Sequence, residues 1–201
     1  NFEIFKEEGI KSIITNSPCC YKMFLYDYPE ILPDWNIQPK NIWIMMLIKL
    51  ENNPGLIKNK ADESVCFQDS CYLGRYCEIY GEPRKILELI GYDVKEMFNS
   101  KSESMCCGSC GGLPITNPSL ADEIAKEKLL QAKRTGVKKI IVCSLEEYEL
   151  LKKNSPGTGI EVLELGEAIA IALGVHARKE QEDTGEEKEE EIEVSEVTEN
   201  E

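Results

Sequence analysis

Four cysteines in three segments carry the first chemical signal of this 201-residue chain. Cys106 and Cys107 are adjacent and run into Gly108, Gly111 and Gly112, forming a compact, flexible, thiol-dense loop. Cys71 lies upstream, with 34 residues between it and the pair, and Cys143 lies downstream, with 35 between. Adjacent cysteines rarely bond to each other, because the small disulfide ring is strained. They can place two sulfurs on one metal, or on neighbouring metals of a cluster. The three segments therefore read as one composite thiolate site that the fold must assemble.

Composition narrows the setting. The nine cysteines are an odd number, so at least one stays outside any intramolecular disulfide set. No secretory signal is read at Asn1-Phe2-Glu3, and the longest apolar run, 42–50, is too short to span a bilayer and contains Lys49. The expectation is a cytoplasmic chain without direct membrane insertion. There, thiols stay reduced, and clustered cysteines serve metal or redox chemistry rather than disulfides. The net charge of −14 is concentrated: from Glu180 to Glu201 twelve acidic residues face one lysine, which leaves about −3 for the rest. Residues 177–201 read as a disordered acidic tail, too poor in apolar residues to bury a core. No basic stripe is present, which argues against nucleic acid as a partner.

The elements that must hold the cysteines alternate between strand and helix, the pattern of an α/β fold with parallel-sheet βαβ layers. Strands are expected over 11–15, 64–68, 92–97, 138–142 and 160–163. Helices are expected over 21–28, ending before Pro29, and over 42–50, 83–89, 145–152 and 165–173. The clearest helix follows Asn117, a capping residue, with Pro118 in its first turn, Lys133 and Arg134 in its last, and Gly136 as its stop. An internal echo adds a repeat. Gly9-Ile-Lys-Ser-Ile-Ile-Thr15 matches Gly136-Val-Lys-Lys-Ile-Ile-Val142, and the alignment pairs Ser17 with Ser144 and Cys20 with Glu147.

The run Asp69-Ser-Cys71-Tyr-Leu-Gly-Arg-Tyr76, then Ile79-Tyr-Gly-Glu-Pro-Arg84, Glu96-Met97 and Cys106-Cys107-Gly108-Ser-Cys-Gly-Gly112, resembles the cysteine-rich "CCG" domain. That domain occurs in the catalytic subunit of heterodisulfide reductase and in related iron–sulfur oxidoreductases. The resemblance continues through Lys133-Arg-Thr-Gly136 and covers roughly residues 9–173. It implies the end of a first CCG repeat and a connecting segment over 1–60, and one complete CCG repeat over 61–176. Its pattern is a cysteine, a double cysteine, then Cys-x-x-Cys, with paired repeats binding 4Fe–4S clusters that reduce a disulfide. Soft iron prefers thiolate ligands, and the loop glycines let backbone N–H groups reach the cluster.

Residue by residue, the resemblance assigns Cys71, Cys106 and Cys107 as ligands. Cys143 is the expected fourth, and Cys20 is a leftover ligand of the first repeat. The Cys-x-x-Cys end departs from the pattern. In the register of the echo its positions hold Ser144 and Glu147, and moving Cys143 into place pairs it with Glu146. The resemblance implies an oxidoreductase subunit with a 4Fe–4S cluster, cubane or noncubane, passing electrons to a disulfide or another organic acceptor. A ferredoxin-type or flavoprotein subunit would supply those electrons. The alternative is a non-catalytic module, zinc-bound or metal-free, that docks to partner subunits.

Other candidates read as structural. Cys110 stands where the family usually has glycine and is taken as a spare small residue of the loop, the alternative being an additional ligand. Cys66 alternates with Val65 and Phe67 and is taken as core. Cys77 is taken as a free thiol. Arg75 and Arg84 are taken as surface partners of carboxylates, the alternative being to offset cluster charge. His176 is not a ligand. Trp35, Trp43, Met45 and Met46 are taken as core or subunit contact. Gly108-x-x-Gly111 opens no phosphate loop, because no Lys-Ser/Thr follows it.

Overall fold

The computed structural model describes residues 1–175. The acidic tail expected over 177–201, and His176, lie outside the described residues. The chain opens with α1 (Phe2–Glu7), β1 (Ser12–Thr15) and α2 (Pro18–Lys22), which widens into a π-helical turn at Met23–Asp27 and continues as α3 (Tyr28–Ile31). The helix expected to stop before Pro29 thus runs past it. The proline sits where the wide turn hands over to α3, a place where its missing N–H and its ring are tolerated. β2 (Gln38–Asn41) and α4 (Ile42–Asn52) complete this first unit. β2 was invisible in the sequence because Gln-Pro-Lys-Asn has no apolar period.

The second part runs β3 (Glu63–Phe67), a π-helical turn at Tyr72–Tyr76, α5 (Gly81–Leu89), β4 (Tyr92–Val94), α6 (Leu113–Thr116), α7 (Pro118–Arg134), β5 (Lys139–Val142), α8 (Leu145–Asn154), β6 (Glu161–Glu164) and α9 (Leu165–Leu173). β1 and β2 pair in one parallel sheet, and β4-β3-β5-β6 form a second, also parallel. The α/β reading with βαβ layers therefore holds. α7 carries the signals read from sequence: the Asn117 side chain accepts the Leu120 N–H at 3.2 Å, and Gly136 past its end has φ +86°.

Period-two alternation divides the core between the faces of the larger sheet. Val65, Phe67, Ile141 and Leu163 pack with residues of α4, α5 and α9 on one face. Cys66, Ile140, Val142 and Val162 pack with α7 and α8 on the other. Cys66 is core, as expected, with its sulfur 3.2 Å from the Thr135 hydroxyl. Trp43 is buried in the first cluster, whereas Trp35 stacks on Phe24 near α1 and Met45 is exposed.

The sheet order positions the site. From β3 the chain moves to β4 on one side, crosses back through α7 to β5, then moves outward to β6 on the other. The direction reverses between β3 and β5, so the loops leaving their carboxyl ends diverge and open a crevice. Cys71 follows β3, Ser144 follows β5, and the loop carrying Cys106 to Cys110 leads toward α7.

Candidate metal centre

A buried ionic framework holds the loops in place. Asp69, just past β3, accepts two hydrogen bonds from Arg84 at 2.7 and 2.9 Å and a third from the Lys101 backbone N–H at 2.6 Å. Arg84 also donates to Glu96 at 2.6 and 2.8 Å. Arg84 and Asp69 are both buried, so the surface pairing expected for Arg84 is instead an interior strut. Arg75 leaves the Cys71 turn and donates to the Ser104 carbonyl at 2.6 Å. Lys128, fully buried on α7, donates to the Ser104 hydroxyl at 3.4 Å. Asp69 and Ser104 thus fix both ends of the segment leading into Cys106.

Gly108 seats the loop on α7. Its φ is +92°, and a Cβ there would stand 2.8 Å from the Ala121 carbonyl oxygen. Only glycine permits this close approach. The Gly108 N–H donates to the Cys106 sulfur at 3.4 Å. The loop backbone thus hydrogen-bonds a cysteine sulfur, and the glycine itself is needed for helix contact.

The fold brings together Cys71, Cys106 and Cys110, with Cys107 behind them. Cys71 lies within hydrogen-bonding reach of both Cys106 and Cys110. Cys106 accepts from Cys107 and Cys71 and sits near Arg75, which together pull it well below the ordinary thiol range. Cys110, accepting from Cys71, is lowered to about 7. Cys71, as donor to both, is pushed far up. Cys107 is buried against α7, its sulfur 3.3 Å from the Ser109 hydroxyl. It too is pushed up, as donor to Cys106 and by burial. Within the group, Cys106 and Cys110 are thus favoured as thiolates, and Cys71 and Cys107 hold the protons that a metal would displace. Among the described residues, no three Cys, His, Asp or Glu side chains already converge on a single-ion site.

Two expected residues stand outside this sulfur group, although Cys143 borders it through Ser70 and Glu147. Cys143 continues the β5 alternation one step past Val142, which turns it to the face of α4, α5 and α9, opposite α7. It is fully buried there, and desolvation raises its thiol well above the ordinary value. Cys20 is exposed, and its backbone N–H donates to the Ser17 hydroxyl. From β5 and α8, Ser144, Glu146 and Glu147 reach the thiols, and Ser144 and Glu147 are the positions that the internal echo aligns with Ser17 and Cys20. Ser144 caps α8 and lines the crevice. Glu147 is 1% exposed, with Cys110 and Cys106 in its field.

Sequence reading missed the place of Cys110 and of Cys19. Cys110 lies three residues beyond Cys107, and that spacing was the available signal. Cys19 had none, because only the packing of α2 against the Tyr72–Tyr76 turn brings it to the site. There it faces Cys110, Ser70, Tyr72 and Ser144 across a cavity of about 180 Å³. The donor chemistry of the four thiols and a buried carboxyl suits a group that prefers thiolate ligation.

Comparison with known proteins agrees with this arrangement. Residues 65–145 match the family model of the cysteine-rich CCG domain. The chain is 36% identical over 114 residues to a probable iron-sulfur-binding oxidoreductase FadF of Bacillus subtilis, covering 56% of this chain and 16% of that one. It is 24% identical over 184 residues to a subunit of the dihydromethanophenazine:CoB–CoM heterodisulfide reductase of Methanosarcina mazei, covering 89% of this chain and 44% of that one. A probable glycolate oxidase iron-sulfur subunit of Bacillus subtilis is 28% identical over 188 residues, covering 87% and 41%. The matches thus span less than half the length of each of these relatives. The match to the cysteine-rich CCG domain family thus runs from Val65, after the start of β3, to Leu145 at the head of α8.

Proposed function

We propose that the chain is an iron–sulfur oxidoreductase subunit whose cluster is held by Cys71, Cys106, Cys107 and Cys110. The observation that carries this is the gathering of Cys71, Cys106 and Cys110, from two loops far apart in sequence, at the crevice of a parallel sheet. Relatives named as iron–sulfur proteins and as redox subunits support it. When bound, a 4Fe–4S cluster supplies one-electron chemistry. This chain's part is to keep the thiols in reach, offset negative charge with Arg75 and Lys128, and screen one side of the site with α7. The cavity bordered by Cys19, Tyr72, Cys110 and Ser144 is the place for an organic acceptor. A disulfide would take two electrons and two protons there, the electrons coming from a ferredoxin-type or flavoprotein subunit. Among the described residues no helix is long and apolar enough to cross a membrane.

The β1–α2–β2–α4 unit is the end of a preceding repeat on this proposal. In support, the Ser12↔Gln38 to Thr15↔Asn41 pairing repeats as Lys139↔Glu161 to Val142↔Glu164. Anaerobic purification tests the function. A brown protein with matched iron and acid-labile sulfide is expected. A colourless protein with stoichiometric zinc would favour a non-catalytic module instead.

A further inference from the structure

Glu147 has an unexplained atom. Its side chain is 1% exposed, yet among the described residues its Oε2 has no hydrogen-bond partner. Burying a carboxyl oxygen without a partner is costly, and such a group in a folded protein points to something absent from the chain itself. The surroundings say what that is. Cys110 and Cys106 act on the carboxyl and Cys107 feels it in turn, while the Ser70 hydroxyl and the Cys143 backbone N–H are the protein donors that reach it, leaving Oε2 free. Lys128, the buried cation nearby, forms no ion pair with it among the described residues. The position is also well defined. Ser144 caps α8 by accepting the Glu147 N–H at 3.3 Å, so the carboxyl leaves the first turn of a capped helix. It meets the thiol group beside Ser70, the residue before Cys71.

We propose that Glu147 is an oxygen ligand to the iron–sulfur group held by the neighbouring thiolates. This rests on the cluster reading above. A carboxylate is a harder ligand than thiolate and holds iron in such a group less tightly. The iron on Glu147 is therefore the exchangeable one, where the thiolate-held irons are fixed.

The test uses the full chain, reconstituted anaerobically with iron and sulfide, together with Glu147→Gln and Glu147→Cys. Glu147→Gln copies the shape of the neutral carboxyl that burial favours in the metal-free chain, so its metal-free melting temperature should match the native one. Mössbauer spectra after incubation with isotopically labelled ferrous iron should show label entering one iron position of the native cluster. Glu147→Gln should bind that iron at least about tenfold more weakly, the lower end of what even outer-shell partners contribute. Glu147→Cys should retain it and slow the exchange. Native iron content and native exchange in both variants would overturn the proposal while leaving the cluster in place. A native chain that takes up neither iron nor sulfide would overturn the cluster reading itself, and this proposal with it.

Discussion

β1–α2–β2–α4 and β5–α8–β6–α9 are built to the same plan and end with different chemistry. In each, a four-residue strand is followed by a capping serine, Ser17 or Ser144, whose hydroxyl accepts the N–H three residues on. In each, the second strand pairs in parallel at the same register and ends on a capping side chain, Asn41 or Glu164. The difference lies in the neighbours. β5 is flanked by β3 and β6, so Ile140, Ile141 and Val142 are fully buried. Among the described residues β1 has only β2 beside it, and Ile14 is 54% exposed. At the equivalent helical position, Glu147 is buried against thiols and Cys20 faces solvent. Local sequence thus sets the frame, and the adjoining β3 and Cys106–Cys110 segments decide whether that frame becomes a site.

The largest effect expected from breaking this contrast is on the strut that serves the second unit alone. Arg84→Met leaves Asp69 buried without its partner and should destabilise the chain by about 3–5 kcal/mol in urea unfolding, with loss of bound iron. Next come the strands themselves. Ile141→Ala should cost about 2–5 kcal/mol, whereas Ile14→Ala, on the half-open strand, should cost under about 1 kcal/mol. Equal costs would mean that the two strands share one environment. Gly108→Ala should cost about 1–3 kcal/mol through its positive φ, with more from the contact with Ala121, and should lower cluster content. The smallest effects sharpen the likeness rather than the difference. Ser17→Ala and Ser144→Ala should each cost about 1 kcal/mol in thermal unfolding, since both remove one cap hydrogen bond.

Most of the frame was legible in the sequence because β3, β5, β6 and α7 carry strong periodicity and clear caps. The echo between residues 9–15 and 136–142 falls on β1 and β5, which pair with their neighbours at the same register, and it aligns Ser144 with Ser17 and Glu147 with Cys20. β2 and the turn at Tyr72–Tyr76 were not legible, since neither has a periodic pattern. At the site, Cys71 and Cys106 were readable from spacing. Cys143, with the same spacing, packs its side chain in the α4, α5 and α9 cluster through one further step of strand alternation, while it still adjoins Ser70 and Glu147. Cys110 was discounted for standing at a glycine position, and Cys19 depends on a contact between elements distant in sequence. Arg84 resembled a surface charge because its partner, Asp69, becomes buried only when β3 enters the sheet.

The most direct measurement is iron and acid-labile sulfide per chain after anaerobic reconstitution of the native protein, Cys106→Ser, Cys110→Ser, Cys143→Ala and Cys20→Ser. Matched iron and sulfide should persist in the native chain, Cys143→Ala and Cys20→Ser, and should be lost in Cys106→Ser and reduced in Cys110→Ser. Loss of iron in Cys143→Ala with retention in Cys106→Ser, or zinc in place of iron and sulfide in the native chain, would contradict the assignment.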